Sequence, residues 1–306
     1  MDVSIIIVTY NTCKMTNECI NSIVQYTIGL EYEIILVDNA SQDDSYNTFS
    51  HDERVHYIYN DKNLGFGKAN NVGAKHATGR YLFLLNSDTL LKNNAIGYFV
   101  EFMDSSPQNI GCCGTLLTDA KGGRMHSFGD AHTIFNTLDE WCVFPVLSHI
   151  GLRNQLSKYY CRTIPDIYFF EVGFVTGADM FIRREAYEKC GLFDPDFFMY
   201  YEDAELCARY RKYGFKSVII KKPSIVHLEG ASNKNNSLAK RGMVMKSMFL
   251  YFKKNLSTYS FRLFKVLFKI MYIMMFLTSL PFVNGNVKEK RKQIIIHEST
   301  LKSGIV

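Results

Sequence analysis

Three short, almost wholly apolar runs do most to limit what this chain can fold into. They are Val3-Ser-Ile-Ile-Ile-Val8, Glu33-Ile-Ile-Leu-Val37 and Tyr81-Leu-Phe-Leu-Leu85. Runs of this length without polar alternation suit strands buried on both faces, which is the habit of parallel sheets. The segments between them carry helical spacing. Ile20, Ile23, Val24 and Thr27 follow the first run, behind a capping residue at Asn11 or Thr12. Val55 to Tyr59 reads as a further strand and Gly67 to Ala77 as a helix. Strand and helix alternating at this spacing predict βαβ crossovers. The expected fold class is therefore α/β, a mostly parallel sheet flanked by helices.

Each apolar run ends on polar residues: Thr9-Tyr10-Asn11, Asp38-Asn39 and Asn86-Ser87-Asp88. Ligands of open α/β sheets bind outside the carboxyl ends of the strands. One such tip is ordinary turn chemistry, because Asn, Asp and Ser favour turns. Three tips on parallel strands converge on one edge, and they predict a binding site there. The first strand–helix turn contains no glycine, which argues against a dinucleotide-binding enzyme. Gly65-x-Gly67 matches that fingerprint only in part, since Asn70 stands where the third glycine belongs.

The stretch from 111 to 170 holds the only Trp, Trp141, and has no clean period. A long segment of that kind is expected to be a lid or binding loop. Regular patterning resumes at Phe174-Val-Thr-Gly-Ala178. Asp203 to Tyr213 reads as a helix with Gly214 closing it, and Lys216 to Ile220 as a strand, with His227 beyond it on a loop or edge strand.

Charge is distributed unevenly. From Asn233 to Lys302 there are 14 Lys or Arg and two acids, so that stretch carries +12 in a chain whose total is +5. The same stretch is rich in Phe, Leu, Met, Ile and Tyr. Phe261, Phe264, Val266, Leu267, Phe268 and Met271 predict one broad apolar helical face, with Arg262, Lys265 and Lys269 opposite. A basic amphipathic helix suits an anionic membrane interface. The uncharged run from Ile270 to Val283 is short of the ~20 residues a bilayer span needs, so a span ranks second. No nucleic-acid partner is expected. None of the eight cysteines forms a Cys-x-x-Cys pair, and buried thiols in a reducing cytosol are the expected state. Met1-Asp2 opens acidic and the apolar run breaks at Thr9, so no secretory signal is expected here.

Seven segments then fall in one order: Ile7-Val-Thr-Tyr-Asn11, Val37-Asp-Asn-Ala-Ser41, Asn63-Leu-Gly-Phe-Gly-Lys-Ala-Asn-Asn71, Leu85-Asn-Ser-Asp88, Val175-Thr-Gly-Ala178, Phe197-Phe-Met-Tyr-Tyr-Glu-Asp203 and His227-Leu-Glu-Gly-Ala-Ser232. In them the chain resembles the family 2 inverting glycosyltransferases of GT-A fold. More narrowly, it is similar to the rhamnosyltransferase-like members that build bacterial surface polysaccharides. The resemblance implies a GT-A catalytic domain over 1–232, with a nucleotide-sugar half to about 110 and an acceptor half from about 111. The basic helical tail then occupies 233–306.

The resemblance also implies roles. Asp88 becomes a ligand of a divalent metal, Mg or Mn, and His227 a second ligand. Asn86 replaces the first carboxylate of the family's Asp-x-Asp motif and Ser87 stands where the subgroup often has Pro, so one carboxylate serves where two are usual, and both residues are implied to bind the donor. Thr9, Tyr10, Asn11 and Asp38 resemble the pocket for base and ribose, and Asn70 lies in the segment packed near the nucleotide. A carboxylate at Asp38 accepts the N3–H that uracil and thymine share, which does not separate UDP from dTDP. Glu202 and Asp203 match the acidic pair, with Asp203 as the base that takes the acceptor proton. The implied partners are a nucleotide-sugar donor, dTDP-rhamnose or a UDP-sugar, and a saccharide or lipid-linked saccharide acceptor. The implied location is cytoplasmic, peripheral at the inner face of the cell membrane. A non-catalytic sugar-nucleotide-binding protein and another nucleotide-using α/β enzyme remain as alternatives.

Overall fold

The computed structural model describes residues 1–143, 168–228 and 237–279. The chain divides into two compact units, Met1–Ala131 with Ile167–Asn236, and His132–Asp166 with Ser237–Val306.

The first unit is built on a twisted sheet. The apolar runs form β1 (Val3–Thr9), β2 (Tyr32–Asp38) and β4 (Tyr81–Asn86), and β3 (His56–Tyr59) extends the edge. These four are mutually parallel, with Thr9 opposite Asp38 and Val8 opposite Asn86. Beyond β4 come β10 (Asp179–Arg183), β6 (Ile110–Thr115), β11 (Lys216–Ile220) and β8 (Phe169–Val172), giving the order β3-β2-β1-β4-β10-β6-β11-β8. β10 runs antiparallel to both β4 and β6. Its first residue therefore lies at the same edge as the carboxyl ends of the parallel strands.

Helices cover both faces, as the doubly buried strands require. On one face α1 (Cys13–Tyr26) and α4 (Ala95–Ser105) bury Ile20, Ile23, Phe99 and Phe102 against Ile5, Ile7 and Leu36. Phe83, Phe99 and Phe181 meet there with ring centroids 5.2–5.6 Å apart. Each such side chain contributes about 1.5–3 kcal/mol by burial. On the other face α3 (Phe66–Ala74) approaches closely, because a side-chain carbon at Gly73 would lie 2.6 Å from Ile6. That helix starts at Gly65, whose φ of +83° favours glycine.

The part of 111–170 that is described resolves into elements. β6 is a fully buried strand, and β7 (Phe128–Gly129) pairs with β9 (Phe174–Val175). Residues 144–167, the middle of the stretch expected to be a lid or binding loop, lie outside the described residues.

The second unit contains α5 (Ile134–Leu138), a π-helical turn at Asp139–Val143, α8 (Ser237–Asn255) and α9 (Thr258–Ser279). Thr133 and Asn136 form a capping box on α5, and the Ser257 hydroxyl accepts the Ser260 N–H at the start of α9. Phe249 and Phe252 of α8 pack on Phe264 and Phe268 of α9, with centroids 4.3–5.4 Å apart. The single broad apolar face expected for this tail is a simplification: Phe264 and Phe268 are buried in the unit, whereas Val266 is exposed.

Candidate active site

The carboxyl edge of the sheet gathers the three polar tips. β1 ends in a buried hydroxyl cluster, in which Thr9 Oγ1 lies 3.0 Å from Thr12 Oγ1 and 2.9 Å from Thr16 Oγ1. Thr12 Oγ1 continues it to Ser87 Oγ at 3.1 Å, tying the β1 tip to the β4 tip. Thr12 occupies the N-cap position of α1, yet its hydroxyl serves this cluster. Asp43 from the neighbouring loop instead accepts the Cys13 N–H at 2.8 Å. Asn11, at φ 55°, joins the β1 and β2 tips, with its N–H donating to Ser41 Oγ and its side-chain oxygen accepting the Gln42 N–H. Tyr10 beside it is exposed.

Asp38 is fully buried at the end of β2. Its Oδ1 accepts the Ser41 N–H at 2.7 Å and its Oδ2 accepts the Tyr57 hydroxyl at 2.7 Å. Asn70 stands one turn inside α3 and is also buried, its amide N–H donating to the Phe66 carbonyl at 3.0 Å. The side chains of Thr9 and Asp38 thus hold the rim together from beneath, Asn70 bonds within its own helix, and Tyr10 and Asn11 are exposed.

Asp88 and His227 come together across 139 residues of sequence. Asn86 ends β4, Ser87 and Asp88 turn the chain, and β5 (Thr89–Leu91) returns to pair antiparallel with β12 (Ile225–His227). The register sets Thr89 opposite His227, and the Leu228 N–H donates to the Asp88 carbonyl. As a result His227 Nε2 lies 3.1 Å from Asp88 Oδ1 and 3.4 Å from Asn86 Nδ2. A carboxylate oxygen beside an imidazole nitrogen is a donor set that a divalent cation accepts. Among the described residues no group of three or more His, Cys, Asp or Glu is arranged to hold a metal.

The acidic pair opens α7 (Glu202–Lys212). Asp203 Oδ2 accepts the Gly177 N–H at 3.3 Å and Oδ1 accepts the Ala204 N–H at 2.7 Å. Gly177 precedes β10, and the Ala178 carbonyl accepts the Asn86 N–H at 3.0 Å, so the loop that holds Asp203 is pinned to the β4 tip. Burial raises the Asp203 carboxyl above its ordinary range, against the two N–H groups and the imidazole of His126, which favour the charged form. Glu202 is buried, its Oε2 has no hydrogen-bond partner among the described residues, and burial followed by the adjacent Asp203 charge pushes it up to about 8. Tyr200 and Tyr201, immediately before the pair, have φ of 71° and 64°. Such non-glycine backbone costs about 1–3 kcal/mol per residue and concentrates at functional sites. The 63–71 segment braces this corner: the Phe66 N–H donates to the Phe198 carbonyl at 3.0 Å, and Asn71 exchanges two bonds with Phe193.

Two residues here carried no readable signal. His126 lies in the unpatterned stretch. Asp179 is a fully buried carboxyl whose Oδ2 accepts the Thr115 N–H at 2.6 Å, whose Oδ1 has no partner, and which burial pushes far above its usual range. A cavity of about 490 Å³, lined by Lys75, Arg184 and Glu188 among others, lies at the opposite edge of the sheet and touches none of the tip residues. It plays no part in this site.

Residues 4–191 match the model of the family described as Glycosyl transferase family 2. An uncharacterized glycosyltransferase of Rickettsia felis is 35% identical over 107 residues, which is 34% of this chain but only 17% of that protein. The dTDP-rhamnosyl transferase RfbF of Shigella flexneri is 22% identical over 263 residues, covering 82% of this chain and 79% of RfbF. Among solved structures, the mannosyltransferase PcManGT of Pyrobaculum calidifontis, in complex with GDP-Man and Mn²⁺, superposes with a TM-score of 0.57 at 14% identity, covering 97% of this chain and 80% of that one. That likeness is one of fold, and it is the GT-A arrangement. Asp203 and His227 lie beyond the segment that the family model covers.

Proposed function

Because the chain belongs to glycosyl transferase family 2, whose model matches residues 4–191, we propose that it is an inverting glycosyltransferase acting on a nucleotide-diphosphate sugar. The observation that carries this reading is convergence. Asp88 pairs with His227, and Asp203 is tied through Gly177 and Ala178 to the same β4 tip, at the carboxyl edge of the sheet, where open α/β folds bind ligands.

The chemistry follows from those side chains. The acceptor hydroxyl oxygen attacks the anomeric carbon while Asp203 takes its proton. The bond from that carbon to the diphosphate oxygen breaks, and the nucleoside diphosphate leaves with the electron pair. A carboxyl raised by burial is a stronger base once ionised, and the Gly177 and Ala204 N–H groups fix its orientation. One displacement with no enzyme-bound sugar inverts the anomeric configuration. Asp88 and His227 would hold the divalent cation, Mg or Mn, which when bound supplies positive charge against that developing on the diphosphate. PcManGT was solved with Mn²⁺, which supports a cation in this fold.

The donor proposed is dTDP-rhamnose or a UDP-sugar, and the acceptor a saccharide or lipid-linked saccharide of a bacterial surface polysaccharide. The likeness to a dTDP-rhamnosyl transferase over most of both chains supports that choice. The test is a thermal-shift and turnover screen of UDP-, dTDP- and GDP-sugars with and without Mn²⁺, with the product's anomeric configuration read by NMR. A pyrimidine donor should stabilise the protein and be turned over with inversion. Retention of configuration contradicts the mechanism, and stabilisation by GDP-mannose alone contradicts the donor class.

A further inference from the structure

Helix α9 turns two apolar faces in opposite directions. At 3.6 residues per turn, Phe264, Phe268 and Tyr272 share one side, and all three are buried within the second unit. On the opposite side Tyr259, Leu263, Val266, Ile270 and Ile273 repeat at spacings of four, three, four and three. They form a stripe about 80° wide. All five are exposed, Val266 to 55% and Ile270 to 50%. Scattered exposed apolar side chains are ordinary, but an aligned row of five marks a surface that meets something.

The charges around the stripe say what it meets. Arg262 and Lys269 are exposed along one rim, with Lys265 partly buried beside them. Between Ser237 and Ser279 there is no Asp or Glu. A second copy laid stripe to stripe would bring these cations together with no carboxylate from either α8 or α9 to pair them. An anionic bilayer supplies both complements, acyl chains for the stripe and lipid phosphates for the rim. Among the described residues no helix is long and apolar enough to cross a membrane, so the fitting geometry is a helix lying along the surface.

We propose that α9 is a membrane-docking element. Its Tyr259–Ile273 stripe inserts at the headgroup boundary of an anionic bilayer, on the cytoplasmic face, with Arg262, Lys265 and Lys269 on the lipid phosphates. This inference stands apart from the reading of the catalytic edge, since it concerns the second unit alone and its readout is lipid binding.

The test uses the full chain, cosedimented with phosphatidylcholine vesicles with or without phosphatidylglycerol. The chain should pellet with the phosphatidylglycerol vesicles and be released by salt. Val266→Ser with Ile270→Ser should weaken binding roughly tenfold or more. Arg262→Gln, Lys265→Gln and Lys269→Gln together should weaken it roughly 10–100-fold on anionic vesicles and little on neutral ones. Circular dichroism checks that each variant keeps its fold. If the stripe variant does not, the charge variant, which leaves every apolar side chain of the helix in place, decides. A wild-type chain that stays in the supernatant at low salt overturns the proposal. So does a lipid-free dimer that the stripe variant splits while vesicle binding is unchanged.

Discussion

The β1–β2–β4 rim and the Glu202–Asp203 corner are both polar and both largely buried, yet they satisfy their polar atoms differently. At the rim, Asp38 has a protein donor on each oxygen, and Thr9, Thr12, Thr16 and Ser87 share one hydroxyl cluster. At the corner, Glu202 leaves a buried oxygen without a partner among the described residues, and both carboxyls are raised by burial; positive φ occurs in both regions, at Asn11 and Ala40 by the rim and at Tyr200 and Tyr201 at the corner. Satisfied buried networks rigidify a site, whereas raised carboxyls are tolerated where chemistry needs them. The contrast fits the proposed roles, with the rim as a preformed seat and the corner as the reactive part. Asp88 and His227 sit at the β4 tip, which the Asn86 N–H to Ala178 carbonyl bond ties to the loop that holds Asp203; in the proposed function they hold the cation.

The largest expected effect tests that link. Asp88→Ala should abolish transfer while the protein stays folded, and EDTA should do the same to the wild type. Full activity in either case would detach the rim from the chemistry. A smaller effect tests the bracing between the regions. Gly65→Ala places a methyl group against the Phe198 carbonyl at a φ of +83°, and it should cost about 2–4 kcal/mol in denaturant unfolding. A loss well below that would mean the 63–71 segment is free to move away from the corner.

A third expected effect concerns pH. Glu202 is raised from an ordinary 4.5 to about 8, so the folded state binds its proton more tightly than the unfolded chain does. That contribution to stability is fully present below about 4.5 and is lost as pH rises through about 8. Relative to Glu202→Gln, the wild type should therefore lose stability progressively across that window. A pH-independent difference would place Glu202 in a more hydrated setting and erase much of the contrast between rim and corner.

The rim was readable in the sequence and the corner's neighbours were not, for physical reasons. Doubly buried parallel strands must be continuous apolar runs, so β1, β2 and β4 announce themselves and their polar tips stand out. β6 reads Ile110-Gly-Cys-Cys-Gly-Thr115, and its small residues carry no strand signal although every one is buried. β10 begins with Asp179 and ends with Arg183, charges that suggest a loop. In the fold Asp179 takes the Thr115 N–H, and Arg183 donates to the Ile110 and Met103 carbonyls. The Asp88–His227 contact depends on the β5–β12 register, which no local pattern encodes. Their roles were suggested by family resemblance rather than by spacing, and His126 was signalled by neither.

In the proposed reaction Asp203 takes the acceptor proton in a single displacement. The direct measurement is the turnover of Asp203→Asn beside its donor affinity, with Glu202→Gln as the companion. The amide keeps the shape and removes the proton acceptor, so kcat should fall roughly 10²–10⁴-fold while donor binding is retained. A crippled Glu202→Gln with a nearly wild-type Asp203→Asn would contradict the account and transfer the role to Glu202.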